Sequence, residues 1–215
     1  KKEIPKWQSH LWPLKSGPSQ LSRRLVGTPE RVYVTLGYDA PTTALDGQTG
    51  EVLQTYEGSD ATEEIILADG RLYLLVRKGK AELADYAPAF GTVGDQQRSR
   101  NFFWNEEPRV LMAFDAKSGE QLWAKQSKVS PLTLSSKDGK VYFHDGQHVV
   151  CLDGESGKPE WQSDPVTRRD SFNFNFGPRL VLYQDVVLFA GGDGKMISAD
   201  AATGKTLWQA QFPNS

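Results

Sequence analysis

Cysteine is almost absent: Cys151 stands alone in 215 residues, which excludes an internal disulfide framework and any cysteine-rich metal cluster. Histidine is nearly as scarce. His10, His144 and His148 do not fall into a zinc spacing, because the second pair are four apart across what reads as strand, turn and strand. They read as solvated or core histidines. Charge of one sign is missing too. The 25 Lys and Arg against 27 Asp and Glu leave a net charge of −2, without the basic footprint of a general nucleic-acid binder. No apolar run reaches the ~18 residues of a membrane span. Stretches with a 3.6-residue apolar period are lacking, so helices should be scarce. No Gly-x-Ser-x-Gly elbow supports a Ser-His-Asp hydrolase. The opening Lys1-Lys-Glu-Ile-Pro-Lys-Trp7 shows neither an initiator Met nor an apolar signal segment, so compartment cannot be read from it.

What the chain does have is 20 Gly, 12 Pro and 6 Trp, the composition of frequent turns and large aromatics in repetitive all-β architectures. Four segments align without gaps: Ala44-Leu-Asp-Gly-Gln-Thr-Gly-Glu-Val-Leu-Gln54, Ala113-Phe-Asp-Ala-Lys-Ser-Gly-Glu-Gln-Leu-Trp123, Cys151-Leu-Asp-Gly-Glu-Ser-Gly-Lys-Pro-Glu-Trp161 and Ser198-Ala-Asp-Ala-Ala-Thr-Gly-Lys-Thr-Leu-Trp208. Asp46, Asp115, Asp153 and Asp200 each end a strand and are placed to accept amide hydrogen bonds from two or three residues on. Gly50, Gly119, Gly157 and Gly204 supply the positive φ of the turn. Trp123, Trp161 and Trp208 begin the next strand and should pack between neighbouring units, since each repeat must bury a face against the next.

A second strand pair precedes each motif. Arg24–Gly27 turns into Arg31–Leu36, Glu64–Leu67 into Leu72–Val76, Pro131–Leu134 into Val141–Phe143, and Arg179–Tyr183 into Val186–Ala190. Four short strands per unit make the blade of a β-propeller. The chain is therefore expected to be all-β, a propeller of four-stranded antiparallel blades over 8–57, 59–126, 127–163 and 164–212. The second blade carries an insertion at 79–108, which reads as an interaction element or as disorder.

These motifs resemble the repeats of the pyrroloquinoline-quinone (PQQ) enzyme superfamily, whose signature is approximately Ala-x-Asp-x-x-Thr-Gly-x-x-x-Trp. The likeness covers nearly the whole chain. The superfamily holds quinoprotein alcohol dehydrogenases as well as non-catalytic propellers of the BamB-like kind, with seven or eight blades. Its catalytic members hold PQQ with a calcium ion bound by carboxylate and amide side chains, use a nearby Asp as base, and often stack adjacent disulfide-bonded cysteines over the cofactor. Cys151 has no neighbour to pair with and takes the place of Ala44, Ala113 and Ser198, a small strand position. Asp39, Asp60, Asp170, Asn173 and Asn175 lie in candidate loops, but no spacing marks them as ligands. The sequence itself thus supports no catalytic residue, no metal ligand and no cofactor.

Two segments rise above the scaffold. Trp7-Gln-Ser-His-Leu-Trp12, which holds His10 and Trp12, and Thr167–Phe176 both occupy links from one blade's outer strand to the next blade's inner strand. In the resembled family such links, with the loops between second and third strands, surround the central channel. Arg168, Arg169, Asp170, Asn173 and Asn175, interleaved with three Phe, suit an anionic or polyhydroxyl ligand. The alternation of Phe172, Phe174 and Phe176 equally suits one buried face of an inner strand. Ala199–Thr206 satisfies a relaxed phosphate-loop pattern, but its sister repeats and the strand-like Leu207-Trp-Gln that follows reject a nucleotide site. Gly191-Gly-Asp-Gly-Lys195 reads as a hairpin turn.

Pro5 and Pro213 lie 208 residues apart, or four repeats of about 52. Four blades do not close a ring of seven or eight. The expectation is a propeller segment whose bare faces are met by a second half, a ring-completing dimer, or a four-bladed closure. By resemblance, the chain is a non-catalytic scaffold for a protein partner or a polar small molecule, in a periplasmic or extracellular setting. The alternative is a PQQ- and calcium-dependent dehydrogenase of alcohols or sugars with part of its active site outside this chain.

Overall fold

Each Asp-to-Gly turn of the repeat closes a hairpin, and four such hairpins organise the computed structural model, which describes residues 23–37, 39–78, 106–169 and 177–212. Blade 1 comprises β1 (Leu25–Gly27), β2 (Arg31–Thr35), β3 (Thr42–Asp46) and β4 (Val52–Thr55). Blade 2 comprises β5 (Thr62–Ala68), β6 (Arg71–Val76), β7 (Arg109–Asp115) and β8 (Gln121–Ser127). Blade 3 comprises β9 (Ser135–Lys137), β10 (Lys140–His144), β11 (Val149–Asp153) and β12 (Pro159–Gln162). Blade 4 comprises β13 (Arg179–Tyr183), β14 (Val186–Ala190), β15 (Lys195–Asp200) and β16 (Thr206–Gln211). Each blade is one antiparallel sheet with its strands in sequence order. The chain is an all-β propeller arc, with inner strand β5 set between β1 and β9, and β9 between β5 and β13.

The motif turns repeat one geometry. Asp46 Oδ1 accepts the amides of Gln48 and Thr49 at 2.9 and 2.8 Å, and the other three motif aspartates accept the amide three residues on at 2.7 to 2.8 Å. Hydrogen bonds hold all four carboxyls below the usual carboxylate range: backbone N–H groups foremost at Asp46 and Asp115, and the Ser156 and Thr203 hydroxyls, then the amides, at Asp153 and Asp200. The motif glycines sit at φ between 68° and 77°, where a Cβ is strained. Every motif hairpin also carries a β-bulge at one place, between Ala44 and Leu45, Ala113 and Phe114, Cys151 and Leu152, or Ser198 and Ala199. The unpaired extra residue on the fourth strand, for example Leu53 or Leu122, points to solvent. Without that residue the period-two alternation would turn the motif Trp to the other face of its sheet.

The blades are joined by a clasp on a backbone carbonyl. Trp123 of blade 2 donates Nε1–H to the Gly154 carbonyl of blade 3 at 3.0 Å, and Tyr73 donates its hydroxyl to the same oxygen at 3.2 Å. Blade 3 repeats this on blade 4, with Trp161 and Tyr142 reaching the Ala201 carbonyl at 3.1 and 3.4 Å. The indoles lie over the neighbouring motif glycine: a Cβ on Gly157 would stand 2.7 Å from Trp123 Cδ2, and one on Gly204 would stand 2.7 Å from Trp161 Cδ2. Blade 1 has Gln54 in place of the Trp. Gln54 still covers Gly119, and Tyr56 supplies the donor, its hydroxyl 2.6 Å from the Ala116 carbonyl.

Apolar layers fill the space between blades: Tyr33, Tyr56, Leu72, Leu74 and Phe114 between blades 1 and 2, then Leu75, Leu111, Val141 and Phe143 between 2 and 3, and Tyr142, Cys151, Val187 and Phe189 between 3 and 4. Cys151 is buried and free, and burial pushes its thiol up to about 12. One expected strand is displaced. The inner strand of blade 3 was expected at Pro131–Leu134 and instead runs Ser135–Lys137. Leu132 adopts φ 63° and donates its amide to the buried Glu64 Oε1 at 2.6 Å, while Thr133 Oγ1 donates to the Ser130 carbonyl, so these residues form a turn. Phosphate-loop geometry is absent from Ala199–Thr206, which forms the motif turn and the start of β16.

Candidate functional site

Because each blade is an antiparallel sheet in sequence order, the motif turns and the first hairpins share one side of the arc. The loops between second and third strands and the links between blades share the other. The charged chemistry collects on that second side. At the start of β5, Glu63 accepts from Arg109 Nε at 3.0 Å and faces Arg77 at 3.6 Å, and Arg77 in turn faces Asp39 at 3.8 Å. Its neighbour Glu64 is fully buried and meets Arg23 at 2.9 Å. Burial raises the Glu64 carboxyl against the pull of Arg23 and of the Leu132 amide.

Blades 2, 3 and 4 meet in a second network. Arg168, on the link from blade 3 to blade 4, holds both carboxylate oxygens of Glu106 with one nitrogen, at 2.8 and 2.6 Å, and donates Nε–H to Ser130 Oγ at 2.8 Å. Ser130 Oγ lies 3.1 Å from His144 Nδ1, and His144 Nε2 lies 2.9 Å from the Val166 carbonyl. A carbonyl only accepts, so Nε2 carries the proton, and Nδ1 receives the Ser130 hydroxyl proton and the Gly146 amide. Burial pushes His144 down to about 4, and its ring stacks on Phe189 of blade 4 at 4.2 Å. Ser130 is buried and already accepts from Arg168, so this Ser–His contact is a structural relay between blades and not an exposed nucleophile with its base.

Beside this network opens a cavity of about 560 Å³, lined by Glu106, Ser127, Lys128, Asp145, Gln147 and Arg168. Lys128 and Gln147 are exposed at its mouth. The cavity presents a cation, an amide and the exposed Glu106 carboxylate at the edge, with the half-buried Asp145 and the Arg168 guanidinium further in. That set suits a polar partner surface or ligand of mixed charge.

The expected site residues separate into three groups. Arg168 lines the cavity with its guanidinium committed to Glu106, Ser130 and the Arg169 carbonyl. Arg169 is anchored through its amide to the Gly191 carbonyl at 2.9 Å. Asp39 faces Arg77 away from the cavity, and Asp60 is exposed in the link between blades 1 and 2. His10, Trp12, Asp170, Asn173 and Asn175 lie outside the described residues, as do Phe172, Phe174, Phe176 and all but the last three residues of the 79–108 insertion. Sequence reasoning missed Glu63, Glu64, Glu106, Arg109 and Ser130; His144, read there as a solvated or core histidine, is buried. The one signal for part of this set was a spacing, Ser59-Asp-Ala-Thr62 and Ser130-Pro-Leu-Thr133, in which the Thr donates to the Ser carbonyl at 2.6 and 2.7 Å around a residue of positive φ.

Among the described residues no three His, Cys, Asp or Glu side chains converge as metal ligands. Glu63, Glu64, Glu106 and Asp39 each face an arginine, which competes with a cation for the same oxygens.

Four blades, each closed by an Asp-to-Gly motif turn and joined in sequence by three Trp or Tyr clasps, define a PQQ-like β-propeller. The chain belongs to the family described as outer membrane protein assembly factor BamB, whose profile matches residues 106–215. It is 35% identical over 81 residues to the quinohemoprotein alcohol dehydrogenase ADH IIB of Pseudomonas putida, across 32% of this chain and 12% of that protein. It is 31% identical over 117 residues to the outer membrane protein assembly factor BamB of Burkholderia pseudomallei (strain K96243), across 47% of this chain and 30% of that protein. The crystal structure of BamB from Moraxella catarrhalis shares the fold with a TM-score of 0.52 and 18% identity, over 87% of this chain and 49% of that chain. The matched region thus spans less than a third of either curated relative.

Proposed function

We propose that this chain is a non-catalytic scaffold of the BamB-like kind, which binds a protein partner on the side that carries the loops and links, in a periplasmic or other extracytoplasmic setting. The observation that carries this reading is the pairing of the loop-side carboxylates with arginines. A quinone dehydrogenase needs carboxylates free to hold a cation and one free to take a proton, whereas Glu63, Glu64 and Glu106 are spent on Arg109, Arg23 and Arg168. Paired charges of this kind rigidify a surface and leave its exposed edge, here Lys128 and Gln147, to select partners by charge.

PQQ and calcium added at micromolar concentration to the intact protein are expected to leave the visible spectrum unchanged and to elicit no dye-linked oxidation of alcohols or sugars. A saturable spectral change would overturn the scaffold reading in favour of the dehydrogenase. On the binding side, in-cell crosslinking should give an adduct that Lys128→Glu weakens while circular dichroism stays unchanged. An adduct indifferent to this charge reversal would place the partner elsewhere.

A further inference from the structure

Behind the mouth of the cavity beside Arg168, one charged oxygen is left without a hydrogen bond. Arg168 spends Nε–H on Ser130, one terminal nitrogen on the Arg169 carbonyl and the other on both oxygens of Glu106. Glu106 thereby has both oxygens taken. Asp145 is the other carboxylate of the wall, with its side chain 27% exposed. Its Oδ1 accepts the amides of Gln147 and His148 at 2.8 and 2.7 Å. Its Oδ2 has only the His148 ring near it, at 3.6 Å, beyond hydrogen-bond reach, and that Nδ1 is itself buried without a hydrogen-bond partner among the described residues.

The carboxylate is also held in place. The Asp145 amide donates to the His148 carbonyl at 3.0 Å, the Val166 amide to the Gln147 carbonyl at 2.7 Å, and the Gly146 amide to His144 Nδ1 at 3.2 Å. An acceptor fixed by its own turn loses little freedom when it binds. Glu106 and Asp145 against Arg168 give the cavity one net negative charge, Lys128 aside. Lys128 stands in water at the mouth, where an ion pair is worth little.

We propose that Asp145 receives a basic side chain, arginine or lysine, which the protein partner inserts into this cavity. This rests on the scaffold reading and adds the chemistry the partner must present. A guanidinium or ammonium donates a charge-assisted hydrogen bond to Oδ2, while its apolar stem lies along the outer wall. An anion meets Glu106 at the edge and Asp145 within, and finds the three nitrogens of Arg168 already engaged.

Titration of the 15N-labelled chain with N-acetyl-arginine amide, followed by NMR, tests this. The Gln147 and His148 amides report on the carboxylate directly, because they bond its other oxygen. Saturable shifts are expected at these two signals and at Gly146, with a Kd of about 1–10 mM for so small a probe. N-acetyl-glutamate amide is expected to leave them in place. Asp145→Asn keeps an oxygen for the two amides and removes the charge, so it should weaken binding about 10-fold. The absence of a saturable shift, an equal response to the glutamate probe, or undiminished binding by Asp145→Asn would overturn the proposal. So would calcium giving the same shifts at lower concentration, which makes the carboxylate a metal ligand instead. The scaffold reading falls on a different result, the saturable spectral change with PQQ and calcium, so the two failures are told apart.

Discussion

Gly157→Ala isolates the worth of the tryptophan clasp, because the cost of its backbone can be subtracted. Gly157 sits at φ 68° and Gly70 at φ 73°, so alanine at either site carries the left-handed penalty of roughly 1–2 kcal/mol. At Gly70 nothing lies within 4 Å of the new methyl, and the loss should stop there. At Gly157 the methyl would stand 2.7 Å from Trp123 Cδ2 and 2.8 Å from Cε3, so the indole has to move. Displacing a packed ring costs about 1–3 kcal/mol, and losing the Nε1 bond to the Gly154 carbonyl adds about 1 kcal/mol. The Gly157 variant should therefore lie about 2–4 kcal/mol below the Gly70 variant. Urea denaturation followed by circular dichroism and tryptophan emission measures both, with a red shift expected only for Gly157→Ala. Gly119→Ala should fall between them, since the flexible Gln54 side chain can swing away where an indole cannot. Equal losses at Gly157 and Gly70 would refute the argument that the ring rests on the turn.

Three further outcomes follow from the buried polar groups. His144 is held neutral in the folded chain, down to about 4 from 6.5, so the unfolded chain binds more protons between those values. Stability should fall by about 3 kcal/mol as pH drops from 6.5 to 4, and His144→Gln should flatten that slope in pH-dependent urea melts. Glu64→Ala strands the Leu132 amide and removes the buried partner of Arg23, at a cost of about 3–5 kcal/mol in the same assay. Ser198 Oγ is buried with no hydrogen-bond partner among the described residues, where two sister repeats have alanine. Ser198→Ala should therefore be neutral or raise stability by about 1 kcal/mol.

The repeat made the blades legible because its chemistry is local. An Asp that caps its own turn and a Gly at positive φ leave their mark within five residues, wherever the chain later packs. Copies of the motif also pointed each Trp at a neighbouring unit, although not at the carbonyl that receives it. The bulge was harder to see, since the extra residue at Leu53, Leu122, Glu160 and Leu207 reads as ordinary strand until the register is known. Pro131–Leu134 misled because its apolar alternation is real, while Glu64, 68 residues away in sequence, draws the Leu132 amide into a turn. The charged networks were hidden for the same reason. Glu63 and Arg109 are 46 positions apart, and Glu106 and Arg168 are 62 apart, so no short pattern announces either pair.

In each clasp the neighbour's side chains grip a main-chain oxygen, that of Ala116, Gly154 or Ala201. Every residue type offers the same oxygen, but the residue after the motif aspartate is held small: it is Gly47, Ala116, Gly154 or Ala201, and a Cβ on Gly154 would stand 2.5 Å from the Tyr73 hydroxyl of the preceding blade. The contact demands the turn's shape and a small residue at its acceptor, both of which the repeat itself carries. A blade bearing that turn can thus be duplicated or exchanged for another as a standard part, and a propeller can change its length and its loops by recombination while its seams stay intact.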